Sequence, residues 1–295
     1  MKKYFILILI LLLFYFSSGN DNSSIKTENK RIETDNLIVN MSNYDTENIL
    51  LSEYLNGVVA CEMPALFHDE AIKAGIVAAR TFYLYKYESD NDYKPSNGDQ
   101  CFFSESKRKE NWKDNYELYN NKILNNINLT KNEIITYNGS VIKAFYFSMS
   151  NGYTEDARYV FKKSEPYLVS VISVYDKDIK NNLSSKSISI NEFKEKLNVD
   201  NDIVINNVVR DSSNRVSEIV INGVNYDGVY FRKLFDLRST DFEIRFNDQE
   251  VIITTRGYGH GVGMSQWGAN EMAKIGYKYK DILKYYYKDV EIMYK

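Results

Sequence analysis

One stretch of this chain has little choice but to be a helix, and it constrains the rest. From about Asp69 to Tyr87 the residues are rich in Ala, with Asp69 or His68 placed to cap the start. Lys73 and Arg80 stand seven apart, so they share one helical face, about 10 Å apart along the axis. The opposite face is small and apolar. A helix so patterned packs closely on its small face and presents cations on the other, either to solvent or to an anionic ligand. Ahead of it, residues 47–60 carry apolar positions at helical spacing, ended by Pro64. After it, 110–130 is polar and helix-tolerant. Ile134 to Tyr137, then Asn138-Gly139, then Val141 to Phe147 read as a hairpin. Residues 186–253 alternate β-branched runs with turns at Asn222-Gly223 and Asp227-Gly228, and short helices are expected at 191–198 and 229–236. The last segment predicts helices at 265–275 and 280–287 and a terminal strand. Helices and strands mix without a βαβ rhythm, so the fold class is α+β, with helices and antiparallel sheet in two subdomains.

The N-terminus addresses the compartment. Met1-Lys2-Lys3 precedes an unbroken apolar run from Tyr4 to Phe16, then Ser17-Ser18-Gly19. That order matches a signal peptide or uncleaved signal-anchor over 1–19, leaving the lysines cytoplasmic and the remainder exported. Residues 20–44 read as a flexible tether. The expected division is then 45–165 with 256–295 as one unit, and 166–255 as an inserted, mainly β subdomain. With 37 Lys+Arg against 40 Asp+Glu, net charge −3, the chain has no basic field for phosphates, so nucleic acid is not an expected partner. Two Cys and two His leave almost no capacity for metal. Cys61 and Cys101 either pair or stay free, and spacing does not decide it.

Four clusters hold chemistry. In the first, Glu62 stands between Cys61 and Met63 before Pro64. A carboxyl among apolar neighbours has its charged form disfavoured, which is what a general acid needs near neutral pH. An exposed helix-end Glu is the commoner fate, and pattern alone does not separate the two. The second is the Lys73–Arg80 face. A cation touching Glu62 would spoil it as an acid, so these cations are expected on substrate or on another carboxylate. The third is Arg256 to Gly268, where Gly recurs at every second position from 257 to 263 beside Tyr258, His260, Ser265 and Gln266. This is not the dinucleotide fingerprint. The glycines imply close backbone approach or positive φ. The fourth is Ser148 to Glu155, with Ser150 and Tyr153 at a strand end, equally readable as a cleft wall or an ordinary turn.

In this order the clusters resemble the stage II sporulation protein D family of peptidoglycan lytic transglycosylases. The matching blocks are Glu53–Pro64 (EYLNGVVACEMP), Glu70–Thr81 (EAIKAGIVAART), Ser148–Ala157 (SMSNGYTEDA), Leu237–Glu243 (LRSTDFE) and Gly257–Ala269 (GYGHGVGMSQWGA). The resemblance implies Glu62 as the single catalytic acid/base. It implies substrate contacts from Lys73, Arg80, Ser150, Tyr153, Tyr258, His260, Ser265 and Gln266. It also implies peptidoglycan glycan strands as substrate during engulfment in sporulation, with a cell-wall amidase and a membrane partner of an engulfment complex. Gly75 departs from a usual Gln, and Met149 and Asn151 from a Thr and a Gly. Some members carry a Cys/His zinc cluster after the second helix. Here Pro95 to Cys101 offers one Cys and no His, so no cofactor is expected. The competing reading is a non-catalytic glycan-binding module that enhances a partner amidase. A purely structural membrane-anchored protein is a third.

Overall fold

The computed structural model describes residues 33–44 and 46–295, which form one compact unit. The expected membrane segment and most of the tether lie outside the described residues. Among the described residues no helix is long and apolar enough to cross a membrane.

The order is β1 (Ile38–Val39), β2 (Ile49–Leu50), α1 (Leu51–Glu62), α2 (Asp69–Ser89), α3 (Glu105–Trp112) and α4 (Tyr116–Leu129). Next come β3 (Glu133–Tyr137), β4 (Ser140–Val141), β5 (Tyr146–Phe147), β6 (Gly152–Tyr153), α5 (Ala157–Phe161) and β7 (Ile172–Ser173). Then follow β8 (Leu183–Ser189), α6 (Ile190–Leu197), β9 (Ile205–Arg210), β10 (Val216–Ile221), β11 (Val224–Asp227) and α7 (Gly228–Leu234). The chain closes with β12 (Phe242–Phe246), β13 (Glu250–Arg256), β14 (Met264–Ser265), α8 (Gln266–Lys274), α9 (Tyr279–Tyr286) and β15 (Glu291–Tyr294). This is an α+β arrangement of helices and small, mostly antiparallel sheets. The exception is β14, which pairs with β5 in parallel through Met264↔Tyr146 and Ser265↔Phe147.

The Ala-rich helix is central. Ala71, Ala74, Ala78 and Ala79 of α2 are buried, and α1, α4, α8, α9 and β3 pack around it. Short side chains let five elements approach one helix, which explains the composition of that stretch. The His68 ring caps it, accepting the Glu70 N–H on Nδ1 at 3.2 Å.

The expected hairpin forms only in its first half. β3 turns at Asn138 and Gly139 (φ 49° and 77°) into a two-residue β4. The chain then leaves, because Tyr146 and Phe147 are claimed by β14 rather than β3. A second hydrophobic cluster, from Ile188 to Ile253, is built by α6, α7 and β8 to β13 around Phe193, Phe231 and Phe235. Residues 166–255 do not pack as one piece, since Tyr167, Leu168 and Val171 lie in the first cluster with α2. Glu155 links the two parts. Its Oε2 accepts the Ser213 hydroxyl at 2.7 Å and its Oε1 accepts the Asp156 N–H at 2.8 Å.

Candidate active site

Glu62 is the last residue of α1, half-buried beside a narrow crevice. Val58, Val59 and Met63 come from the α1 end, Gly75 and Ala79 from α2, Tyr146 from β5, Met264 from β14 and Gln266 from α8. The crevice leaves no room for a water molecule between its walls. Among the described residues Glu62 is the only carboxylate lining it. Burial pushes the Glu62 carboxyl above the usual carboxylate range, opposed by the Cys101 N–H and, less, by the Gln266 side chain. The N–H of Cys101 donates to Oε1 at 2.7 Å. The Gln266 amide donates to the Glu62 carbonyl at 3.0 Å, tying α8 to the end of α1. A disulfide joins Cys61 to Cys101 across 5.6 Å between Cα atoms, so the residue before Glu62 is bonded to the one that donates to it.

The cations of α2 are committed elsewhere. Arg80 is fully buried and grips Asp35 with two bonds, Nε to Oδ1 at 2.5 Å and Nη2 to Oδ2 at 3.0 Å. Its Nη1 donates to the Glu133 carbonyl at 3.2 Å. Arg80 is therefore not placed to meet a ligand; it anchors the segment before α1. Helical phase located it on the Lys73 face, but that face is covered by chain from outside the helix. Lys73 pairs with Glu70 at 2.8 Å and lies over the Tyr279 ring. Both cations hold carboxylates other than Glu62.

The Gly-rich loop approaches its own protein. Gly263 (φ 80°) passes so near β5 that a Cβ there would lie 2.0 Å from the Phe145 carbonyl oxygen. Gly261 (φ 85°) clears the Arg215 guanidinium in the same way. The loop thereby delivers Met264 and Gln266 to the crevice. His260 sits against Phe145, Phe147 and Phe161. Burial, with Arg232 and Arg215 nearby, pushes it down to about 3, so it is neutral at physiological pH. Its Nδ1 accepts the Val262 N–H at 3.0 Å, which shapes the loop. Ser150 and Ser265 are fully buried and share Asp176. Ser150 Oγ is 2.6 Å from Oδ1, and Ser265 Oγ donates to Oδ2 at 2.5 Å. Ser265 also caps α8. These serines align β5, β14 and α8, and are shut off from solvent. Tyr153 and Tyr258 are exposed, Tyr258 under the Arg238 guanidinium at 4.5 Å.

Of the residues singled out by sequence, the crevice gathers Glu62 and Gln266. Sequence reasoning missed Tyr146, Gln100 and Asp176, and left open the pairing of Cys61 with Cys101 that the structure shows. Gln100 donates to the Tyr146 hydroxyl at 2.9 Å, leaving the phenol proton free to donate onward. Tyr146 precedes the Ser148 block by two residues, which is the one signal that pointed to it. Asp176 stands among other charged residues, with nothing local to mark it.

A family model described as Stage II sporulation protein matches residues 42–137. The stage II sporulation protein D of Bacillus amyloliquefaciens is 41% identical over 262 residues, covering 85% of this chain and 76% of that protein. This chain belongs to the stage II sporulation protein D family. The family member from Bacillus subtilis (strain 168) is 40% identical over 262 residues, with the same coverage of 85% and 76%. The amidase enhancer of the same Bacillus subtilis strain is 29% identical over 292 residues, covering 79% of this family member and 39% of the enhancer. A zinc cluster of the kind some relatives carry finds no donor set here. The Cys101 sulfur is bonded to Cys61, and the two histidines, at separate places, accept the Glu70 and Val262 backbone N–H groups. Among the described residues no group of three His, Cys, Asp or Glu is arranged to hold a metal.

Proposed function

We propose that this sporulation-family protein is a lytic transglycosylase, cleaving peptidoglycan strands between N-acetylmuramic acid and N-acetylglucosamine with Glu62 as its acid and base. The observation that carries the reading is the state of that carboxyl. It is half-buried among apolar walls and, among the described residues, bonded to no cation, so it keeps its proton to higher pH than an exposed carboxylate. Two-carboxylate glycosidases need a partner within about 5–9.5 Å. Among the described residues none lines the crevice, which favours a mechanism that uses one.

The substrate meets Glu62 at its exposed rim. Protonated Glu62 gives its proton to the bridging oxygen, and C1 of the muramic residue becomes oxocarbenium-like. The ionised carboxylate is held by the Cys101 N–H while charge is present. It then takes the proton of the C6 hydroxyl of the same sugar as that oxygen bonds to C1. A 1,6-anhydro end results, the proton returns to Glu62 and no water is consumed. The intramolecular nucleophile gains from proximity. The Tyr146 hydroxyl, held by the Gln100 amide, lines the wall beside the acid. No cofactor takes part.

We place the globular unit outside the cytoplasm on its N-terminal segment, acting on the cell wall in engulfment with an amidase and a membrane partner. The relative named amidase enhancer supports a second reading, a glycan-binding module that stimulates an amidase without cutting. Mass spectrometry of digested peptidoglycan separates them. Wild type should release anhydro-ended fragments and Glu62→Ala none, with the fold intact by circular dichroism. Equal release by both proteins would sink the catalytic assignment. Amidase stimulation indifferent to Glu62, with no release by wild type, would establish the second reading.

A further inference from the structure

Near the crevice stands an ammonium, Lys143, that no carboxylate among the described residues holds in an ion pair, the nearby Asp99 and Glu165 being paired with Lys86 and Lys163. Ala79 lines the crevice, and Tyr85 stands six residues further along α2, about 9 Å at 1.5 Å per residue. Between them Phe82 packs on Phe145 with 5.7 Å between ring centroids. The loop before α3 runs the same way: Cys101 donates to Glu62, Gln100 to Tyr146, and Asp99 pairs with Lys86 at 2.8 Å. At the far end stands Lys143. Its ammonium lies 4.8 Å from the Phe145 ring centroid, 5.7 Å from Phe161 and 6.0 Å from Tyr85.

The charges around it cancel in pairs without it. Asp99 is taken by Lys86, and Glu165 by Lys163 at 2.9 Å. Burial and the two neighbouring lysines lower the Lys143 pKa, the mark of an ammonium short of counter-charge. Aromatic faces offset part of that cost, but only an anion supplies a charge-assisted hydrogen bond. Phe161 beside it is 38% exposed, with one ring face stacked on Phe145 and apolar surface left open of the kind a sugar face covers.

We propose that Lys143, with the exposed ring of Phe161, forms a carboxylate-reading subsite on the glycan path, about a disaccharide away from the bond cleaved at Glu62. The inference rests on the glycan-cleaving reading of Glu62. Two carboxylates on peptidoglycan share this chemistry: the lactyl group of a muramic residue whose peptide has been removed, and the carboxylates of an attached stem peptide.

The test uses the full chain carrying Glu62→Gln, so that binding is measured without turnover. Its calorimetric titration with peptide-free glycan strands, peptide-bearing strands and neutral chitin oligomers gives three affinities. Adding Lys143→Met, which keeps the apolar stem, should weaken a carboxylate-bearing strand about tenfold while chitin changes less than about twofold. Lys143→Arg should retain most of the affinity. Loss confined to peptide-free strands names the lactyl carboxylate as the ligand, and loss confined to peptide-bearing strands names the stem peptide. Equal weakening of chitin, or no weakening of any strand, overturns the subsite. Thermal unfolding of each variant separates misfolding from lost contact. In the Glu62 background, anhydro-end release by wild type beside unchanged binding by Lys143→Met would sink the subsite alone. Absence of release by wild type would sink the cleavage reading, whatever Lys143 does.

Discussion

On the proposed mechanism, breaking the Cys61–Cys101 bridge should change the pH dependence of anhydro-end release as well as the stability of the protein. The bridge closes a loop with a sequence separation of 40, and chain-entropy arithmetic assigns it about 4 kcal/mol. A domain of ordinary stability, about 5–15 kcal/mol, survives that loss at 25 °C. The double variant Cys61→Ser/Cys101→Ser also frees the loop that places the Cys101 N–H on Glu62. An N–H bond to a carboxylate favours the ionised form, so its loss raises the Glu62 pKa further. The opposing effect, rehydration, is small, because the walls that dehydrate Glu62 belong to α1, α2, β5, β14 and α8 and not to the loop. A charge-assisted bond is worth about 1.5–3 kcal/mol, which corresponds to about one to two pH units. In the proposed mechanism Glu62 starts protonated, so kcat/KM should fall as pH rises through its pKa. The alkaline limb of anhydro-end release should therefore move up by that amount in the variant, while kcat drops as the carboxylate loses its aim. Urea unfolding and the pH profile of release, measured on one preparation, check both parts. A folded variant whose alkaline limb stays in place or moves down would refute the positioning role and leave the bridge a staple.

Glu62→Gln should abolish release yet stabilise the protein at neutral pH. A carboxyl whose folded pKa is raised gives full stability below the ordinary carboxylate range and loses it as pH rises through the folded value. The gain in Tm should vanish below about pH 4. Arg80→Ala leaves Asp35 buried without its partner and should cost about 3–5 kcal/mol in urea unfolding, with KM of any folded fraction unchanged. Gly263→Ala puts a side chain at φ 80° against the Phe145 carbonyl and should cost at least about 1–2 kcal/mol. It should also lower activity by parting β14 from β5 and with it Gln266 from Glu62, read as a fall in Tm and in kcat together.

What was legible in the sequence is what periodicity and local chemistry write. The Ala-rich spacing of α2, the cap at His68 and the apolar setting of Glu62 all survive in the structure, since each depends on residues within a few positions. Arg80 shows where that reasoning ends. The reading left it to substrate or to another carboxylate, and could not name the carboxylate, because Asp35 lies 45 residues earlier in a segment with no regular pattern. The serines of the fourth cluster and of the loop failed for the same reason. Their shared partner, Asp176, is 26 residues from one and 89 from the other. The glycines were read correctly for conformation, and in the structure they approach the chain itself, Gly263 at the Phe145 carbonyl and Gly261 at the Arg215 guanidinium. The motif residues of this family member therefore divide into two kinds. Glu62 and Gln266 face the crevice, whereas Arg80, Ser150 and Ser265 are buried in the frame that holds its walls. That division accounts for a crevice whose lining, among the described residues, has one carboxyl and no cation. The frame takes up the fixed charges, and Glu62 is left in an apolar setting that raises its pKa above the usual carboxylate range.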